Sequence, residues 1–207
     1  MRPLPRLLAV TTDAVCRSPD FSERTAALVR IGPALGVLVR APGSPTAEQA
    51  SFAERVTALA RPAEATVLVH GRPDLARAVD ADGVQLRQDD LAPADARRVF
   101  LSGWIGVAIH SRAEAAAAIE AGADFVVAGN VFETSSHPAR PARGVGWLTE
   151  ICSLGRPVIA IGGVTPDRAA ELQRAGAWGA AAISALWEAP DPTAAGLGIL
   201  TAWNGTT

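Results

Sequence analysis

Hydrophobic positions along the chain fall into eight short apolar runs without polar alternation, the pattern of strands covered on both faces. They span residues 7–12, 36–40, 66–70, 83–86, 105–110, 125–131, 158–161 and 180–184. Between them lie segments with helical spacing and helix punctuation, at 22–31, 46–59, 73–79, 93–100, 111–121, 144–154, 166–175 and 191–203. Phe52, Val56 and Leu59 recur at three- and four-residue intervals behind a Thr46-x-Glu48 start signal. Ser111-Arg112-Ala113-Glu114 reads as a capping box ahead of an alanine-rich helix. Strict alternation of strand and helix predicts a parallel sheet with crossover helices. An open doubly wound sheet usually carries a glycine-rich fingerprint after its first strand, and Thr11-Thr12-Asp13 is not one. The expectation is therefore one α/β domain over residues 1–207, a single (β/α)8 TIM barrel.

That fold puts chemistry at the C-terminal ends of the strands. Pro157 through Asp167 reads as a buried strand that empties into Gly162-Gly163 and then opens a helix, with Thr165 as N-cap and Pro166 in the first turn. Amides at a helix start beside glycines favour an anion, most often phosphate. Gly179 through Leu186 repeats the arrangement and ends at Ile183-Ser184. Two such strand ends in succession match the phosphate cup that barrels build after strands seven and eight. Arg40 ends an otherwise apolar strand and needs an anionic partner in the barrel mouth. All three histidines, His70, His110 and His137, fall on strand ends or the loops after them.

Composition narrows the chemistry. The chain has 207 residues, 49% hydrophobic and 19% charged, with a net charge of −2, which gives no basic footprint for nucleic acid. All 19 basic residues are arginine, so lysine Schiff-base chemistry is excluded and arginine must bind any phosphate or carboxylate. Cys16 and Cys152 lack metal-ligand spacing and read as buried small side chains. The apolar run from Leu7 to Val10 is too short for a signal-peptide core or a membrane span, so a soluble cytoplasmic protein is expected. Trp187 and Trp203 look exposed and suggest a cover for the barrel bottom or a contact between copies in a homo-oligomer.

Several motifs in order resemble the thiamine-phosphate synthase superfamily, which includes the thiazole tautomerase of thiamine biosynthesis. Asp82 through Leu91 is similar to its strand-four motif, and Ile105 through Ser111 to its strand-five segment. Ile159 through Gly163 with Thr165 to Arg168 resembles the phosphate end, and Val131-Phe132-Glu133-Thr134 resembles the tautomerase branch. The resemblance implies that Gly162, Gly163, Ile183 and Ser184 hold the phosphate of a thiazole phosphate. Thr134 and Ser136 would contact the thiazole and its carboxylate, and Arg40 would meet the other anionic end.

Two departures qualify those implications. Synthases of the family hold Mg²⁺ with an aspartate after strand three and another in the strand-four motif. Asp90 matches the second, but the strand-three end reads His70-Gly71-Arg72, with no acid, and His137 stands where the synthases have a lysine. The tautomerase base is replaced by Asn130, which orients groups but does not shuttle protons. The reading is a cofactor-free tautomerase isomerising a thiazole carboxylate phosphate, with His137 or His110 as acid–base and Asn130 orienting. One alternative is a Mg²⁺-dependent thiamine-phosphate synthase, which joins hydroxymethylpyrimidine pyrophosphate to thiazole phosphate. The other is a non-catalytic binder of thiazole or thiamine phosphate. Each takes a small phosphate ester as ligand.

Overall fold

A computed structural model describes residues 2–134 and 141–205. Eight parallel strands pair in sequence order and close when β8 pairs with β1, as the alternation predicts. They are β1 Leu7–Val10, β2 Leu35–Val39, β3 Thr66–His70, β4 Gly83–Leu86, β5 Trp104–Ile109, β6 Phe125–Gly129, β7 Val158–Ile161 and β8 Gly179–Ala182. The helices are α1 Asp13–Arg17, α2 Phe21–Val29, α3 Thr46–Ala60, α4 Pro73–Ala78, α5 Pro93–Val99, α6 Arg112–Glu120, α7 Gly144–Cys152, α8 Pro166–Arg174, α9 Ser184–Trp187 and α10 Pro192–Asn204.

The strands read as continuous apolar runs because each has two buried faces. One face packs against the helices; the other fills the barrel with Leu8, Val10, Leu38, Leu68, Phe125, Val127, Ile159 and Ala181. Glycine makes room for the largest of these. A Cβ on Gly106 would lie 2.1 Å from the Phe125 ring, and one on Gly83 2.6 Å from Leu68 Cδ2. Burying side chains of this size contributes roughly 1.5–3 kcal/mol each.

The N-terminal residues floor the barrel. The indole N–H of Trp104 donates to Arg2 O at 2.9 Å, that of Trp178 to Leu4 O at 3.2 Å, and Arg6 stacks 3.8 Å above the Trp178 ring. Asp82 and Asp124 accept backbone N–H groups of the adjoining strands, from Val67 and Ile105, at 2.9 and 2.8 Å. These motif acids fasten the N-terminal ends of strands, the end that serves stability.

Two local expectations are corrected. Trp187 and Trp203 are not exposed but buried, at 4% and 2% exposure, in the main hydrophobic core, where Trp187 packs on Phe21 with centroids 5.8 Å apart. Strand eight ends at Ala182, and Ser184 opens the short helix α9. Helix α3 starts at Thr46, where the start signal puts it, and the Thr46 hydroxyl accepts from Arg72. Asp13, just after β1, holds the β2–α3 loop by accepting from Gly43 N and Ser44 Oγ. Among the described residues no helix is long and apolar enough to cross a membrane.

Candidate active site

Above this floor, the C-terminal end of the barrel opens into a cavity of about 480 Å³. Arg40, His110, Asn130, Thr134, Gly162, Gly163, Ile183 and Ser184 all line it. Ser136 and His137 lie outside the described residues. The cavity also takes in His70, Gln85 and Arg87, which were less prominent in the sequence.

One wall is backbone. Gly162 has φ +104° and Gly163 φ +63°, conformations that suit glycine. A Cβ on Gly162 would sit 2.5 Å from Asn130 Cβ, and one on Gly163 2.4 Å from Glu133 O. Arg168, from the first turn of α8, donates to Gly163 O at 2.7 Å and lies 4.6 Å above the Phe132 ring, holding the loop from behind. Thr165 occupies the expected N-cap position in extended geometry, although its side chain makes no cap bond. Beside this loop, Ile183, Ser184 and Ala185 turn the start of α9 toward the cavity. First-turn amides of a helix have no intrahelical acceptor.

The opposite wall is made of side chains. Thr11 Oγ1 accepts from Arg40 N at 2.8 Å and donates to Arg40 O at 3.0 Å, clamping the residue that follows β2. The half-buried Arg40 guanidinium has no hydrogen-bonded or ion-paired partner among the described residues. Burial lowers its pKa, but an arginine remains charged. Next to it, on β3, His70 Nδ1 meets Gln85 Oε1 at 2.8 Å. The orientation of this pair follows from its neighbour. Leu86 O can only accept, so the Gln85 amide nitrogen faces it at 2.6 Å and Oε1 faces the imidazole. His70 is therefore the Nδ1–H tautomer, and its Nε2 is a buried acceptor with no partner. Burial, the largest cause, pushes the His70 pKa below its ordinary value and keeps the ring neutral near pH 7.

His110 is fixed by the same logic. Gly129 O accepts from its Nδ1–H at 2.9 Å. The capping box positions its backbone: Ser111 Oγ accepts from Glu114 N at 3.1 Å, while Glu114 Oε2 accepts from His110 N at 2.6 Å. Both cysteines are set aside as nucleophiles, because burial raises Cys16 and Cys152 to pKa values of about 11.

Magnesium in the manner of the synthases does not fit this wall. Asp90 Oδ2 accepts from Arg87 N at 2.7 Å and Oδ1 from its guanidinium at 3.0 Å, while Asp89 lies 3.4 Å from Arg87 Nε. The residue facing Asp90 from the strand-three end is Gly71, where even a Cβ would stand 3.1 Å from Asp90 Oδ2. The Asp90 carboxylate is already paired with a guanidinium, and the position expected to carry its acidic partner is Gly71. Among the described residues no group of three or more His, Cys, Asp or Glu side chains gathers to hold an ion.

Residues 7–186 match the family model described as thiamine monophosphate synthase. A thiamine-phosphate synthase of Thermus thermophilus is 40% identical over 146 residues, 69% of each chain. That of Chloroflexus aurantiacus is 36% identical over 192 residues, 92% of this chain and 88% of its own. The solved structure of thiamine phosphate pyrophosphorylase from Pyrococcus furiosus superposes with a TM-score of 0.84 at 30% identity, covering 97% of this chain and 96% of that one. These relatives overturn the tautomerase expectation, and isomerisation is withdrawn. The run that suggested that branch has packing duties: Val131 is fully buried and Phe132 lies beneath Arg168.

Proposed function

Because the chain belongs to the thiamine monophosphate synthase family, we propose that it is a transferase of thiamine biosynthesis that joins hydroxymethylpyrimidine pyrophosphate to thiazole phosphate. One observation carries this reading: a single cavity has a backbone wall of glycines at positive φ on one side and, on the other, an arginine with no ion pair among the described residues. Two phosphorylated substrates need two anion sites, facing each other across the reacting atoms.

In this scheme the Gly162, Gly163, Ile183 and Ser184 amides, with the Ser184 hydroxyl, hold the thiazole phosphate. Thr134 and Asn130 orient the thiazole ring from the β6 side. The lone pair of the ring nitrogen forms a C–N bond to the methylene carbon of the pyrimidine. The C–O bond to pyrophosphate breaks, and its electron pair leaves with that group. The nitrogen carries no proton and becomes the thiazolium, so no proton has to be removed. Asn130, unable to act as a base, is compatible with this reaction where it was an obstacle to isomerisation. Arg40 meets the departing pyrophosphate with a charge that is half-desolvated and strongly interacting. No step is assigned to a metal, since the residues at Asp90 do not suit one.

The test is direct. The purified chain is incubated with both substrates and thiamine phosphate is sought by mass spectrometry, each substrate being omitted in turn. Product dependent on both substrates is expected. A second reading, a binder that holds phosphate esters without turnover, is favoured by the lost acidic pair; binding of both substrates with no product would establish it.

A further inference from the structure

The sequence departs from the family at residues 70 and 71, and the structure gives the departure a consequence. Where the resemblance expects a metal between two acids, Asp90 is tied to Arg87 and faces Gly71. The same wall offers two groups awaiting a ligand. Among the described residues Arg40 makes no ion pair, feeling the Asp13 carboxylate only at longer range, and His70 presents a buried Nε2 lone pair with no donor. A lone pair beside an anion is repulsive unless a proton stands between them. The charged and titratable groups that face His70 are Arg40 after β2 and Arg87 and Asp90 after β4; neutral Gln85 holds Nδ1. Arg40 and Arg87 both oppose a second positive charge on His70 in the free protein. An anion neutralising Arg40 removes part of that opposition and adds an attraction of its own.

We propose that Arg40 and His70 form a metal-free subsite for the pyrophosphate end of the ligand, which binds as His70 takes up one proton at Nε2. This extends the transferase reading and rests on it for the identity of the anion. The charge that a divalent cation supplies elsewhere in the family is supplied here by a guanidinium and an imidazolium. Gln85 Oε1 remains the acceptor of Nδ1–H in either state, so protonation needs no rearrangement of the pair.

The chain has three histidines, which makes the imidazole NMR spectrum simple to assign with a His70→Gln variant. In the free protein the His70 signal is expected to titrate below the ordinary histidine range. With saturating inorganic pyrophosphate in EDTA its midpoint should rise past neutrality. Calorimetry in buffers of different ionisation enthalpy should show proton uptake at pH 7 that His70→Gln abolishes, with affinity falling about tenfold. Replacing EDTA by Mg²⁺ should change wild-type affinity for the free anion by less than about threefold. The exposed Arg30→Gln variant controls for loss of net charge and should bind as wild type. Binding that requires Mg²⁺, or a His70 midpoint that does not move, overturns the proposal. Product formation is scored separately: a chain that makes thiamine phosphate only with Mg²⁺ keeps the transferase and loses this subsite. Metal-free, proton-coupled binding without product does the reverse.

Discussion

The two walls of the barrel mouth are built from different materials. The wall after β7 and β8 is backbone: glycines at positive φ and the start of a short helix, braced by Arg168. The wall after β2, β3 and β4 is side chain: a guanidinium with no ion pair among the described residues, an imidazole fixed by a glutamine, and beside them a carboxylate tied to an arginine. Backbone sites are set by conformation and survive most substitutions around them. Side-chain sites change chemistry with one codon. The first wall accordingly keeps the family pattern, and the second departs from it.

The largest expected effect comes from breaking the backbone wall. A Gly163→Ala substitution puts a Cβ where only 2.4 Å separates it from Glu133 O, at a φ of +63°. Strain of about 1–3 kcal/mol must be relieved by moving the loop. Affinity for a thiazole phosphate should fall at least tenfold by calorimetry, while pyrophosphate binding at the other wall changes little. Equal losses at both would show that the walls are not independent.

Next comes Arg40→Ala. Pyrophosphate affinity should fall about tenfold or more, the scale of a charge-assisted contact. Thermal stability should hold or rise, because a half-buried cation with no ion pair among the described residues is removed. A large drop in melting temperature would mean that the guanidinium has a structural partner in solution.

An intermediate effect is expected from Arg168→Ala, which loses the bond to Gly163 O and the stack on Phe132. A cost of about 1–2 kcal/mol in stability, with a several-fold rise in KM for the thiazole phosphate, follows from those contacts. An unchanged KM would remove Arg168 from the account of the cup.

Much of this could be read from the amino-acid order, and the failures have physical causes. Strands with two buried faces announce themselves, as β3, β4 and β7 do to the residue. Helices α1 and α9 are four to five residues long, too short to show a period. The apolar run 180–184 therefore reads as one strand, although β8 stops at Ala182. The glycine cup was legible because positive φ favours a residue type. The His70–Gln85 pair was not, since it depends on a cross-strand register that sets the two side by side. The resemblance named the superfamily but misjudged the branch by weighting Val131 and Phe132, whose roles are in packing.

The smallest expected effect is a pH dependence that sharpens the side-chain wall. His70 is lowered by burial, so the unfolded chain binds its proton at a higher pH than the folded one. Stability from this group is complete above about pH 6.5 and declines as pH falls from there toward the lowered folded value. Melting curves between pH 5 and 8 should be steeper below neutrality in the wild type than in His70→Gln. Parallel curves would mean that the ring titrates normally.

The most direct measurement of the central claim follows both substrates by phosphorus NMR in one tube with the purified chain. The expected result is thiamine phosphate and free pyrophosphate rising together, one for one, as the two substrates disappear. Unchanged substrate resonances, under conditions where both ligands are shown to bind, would contradict the transferase and leave a binding protein with the shape of an enzyme.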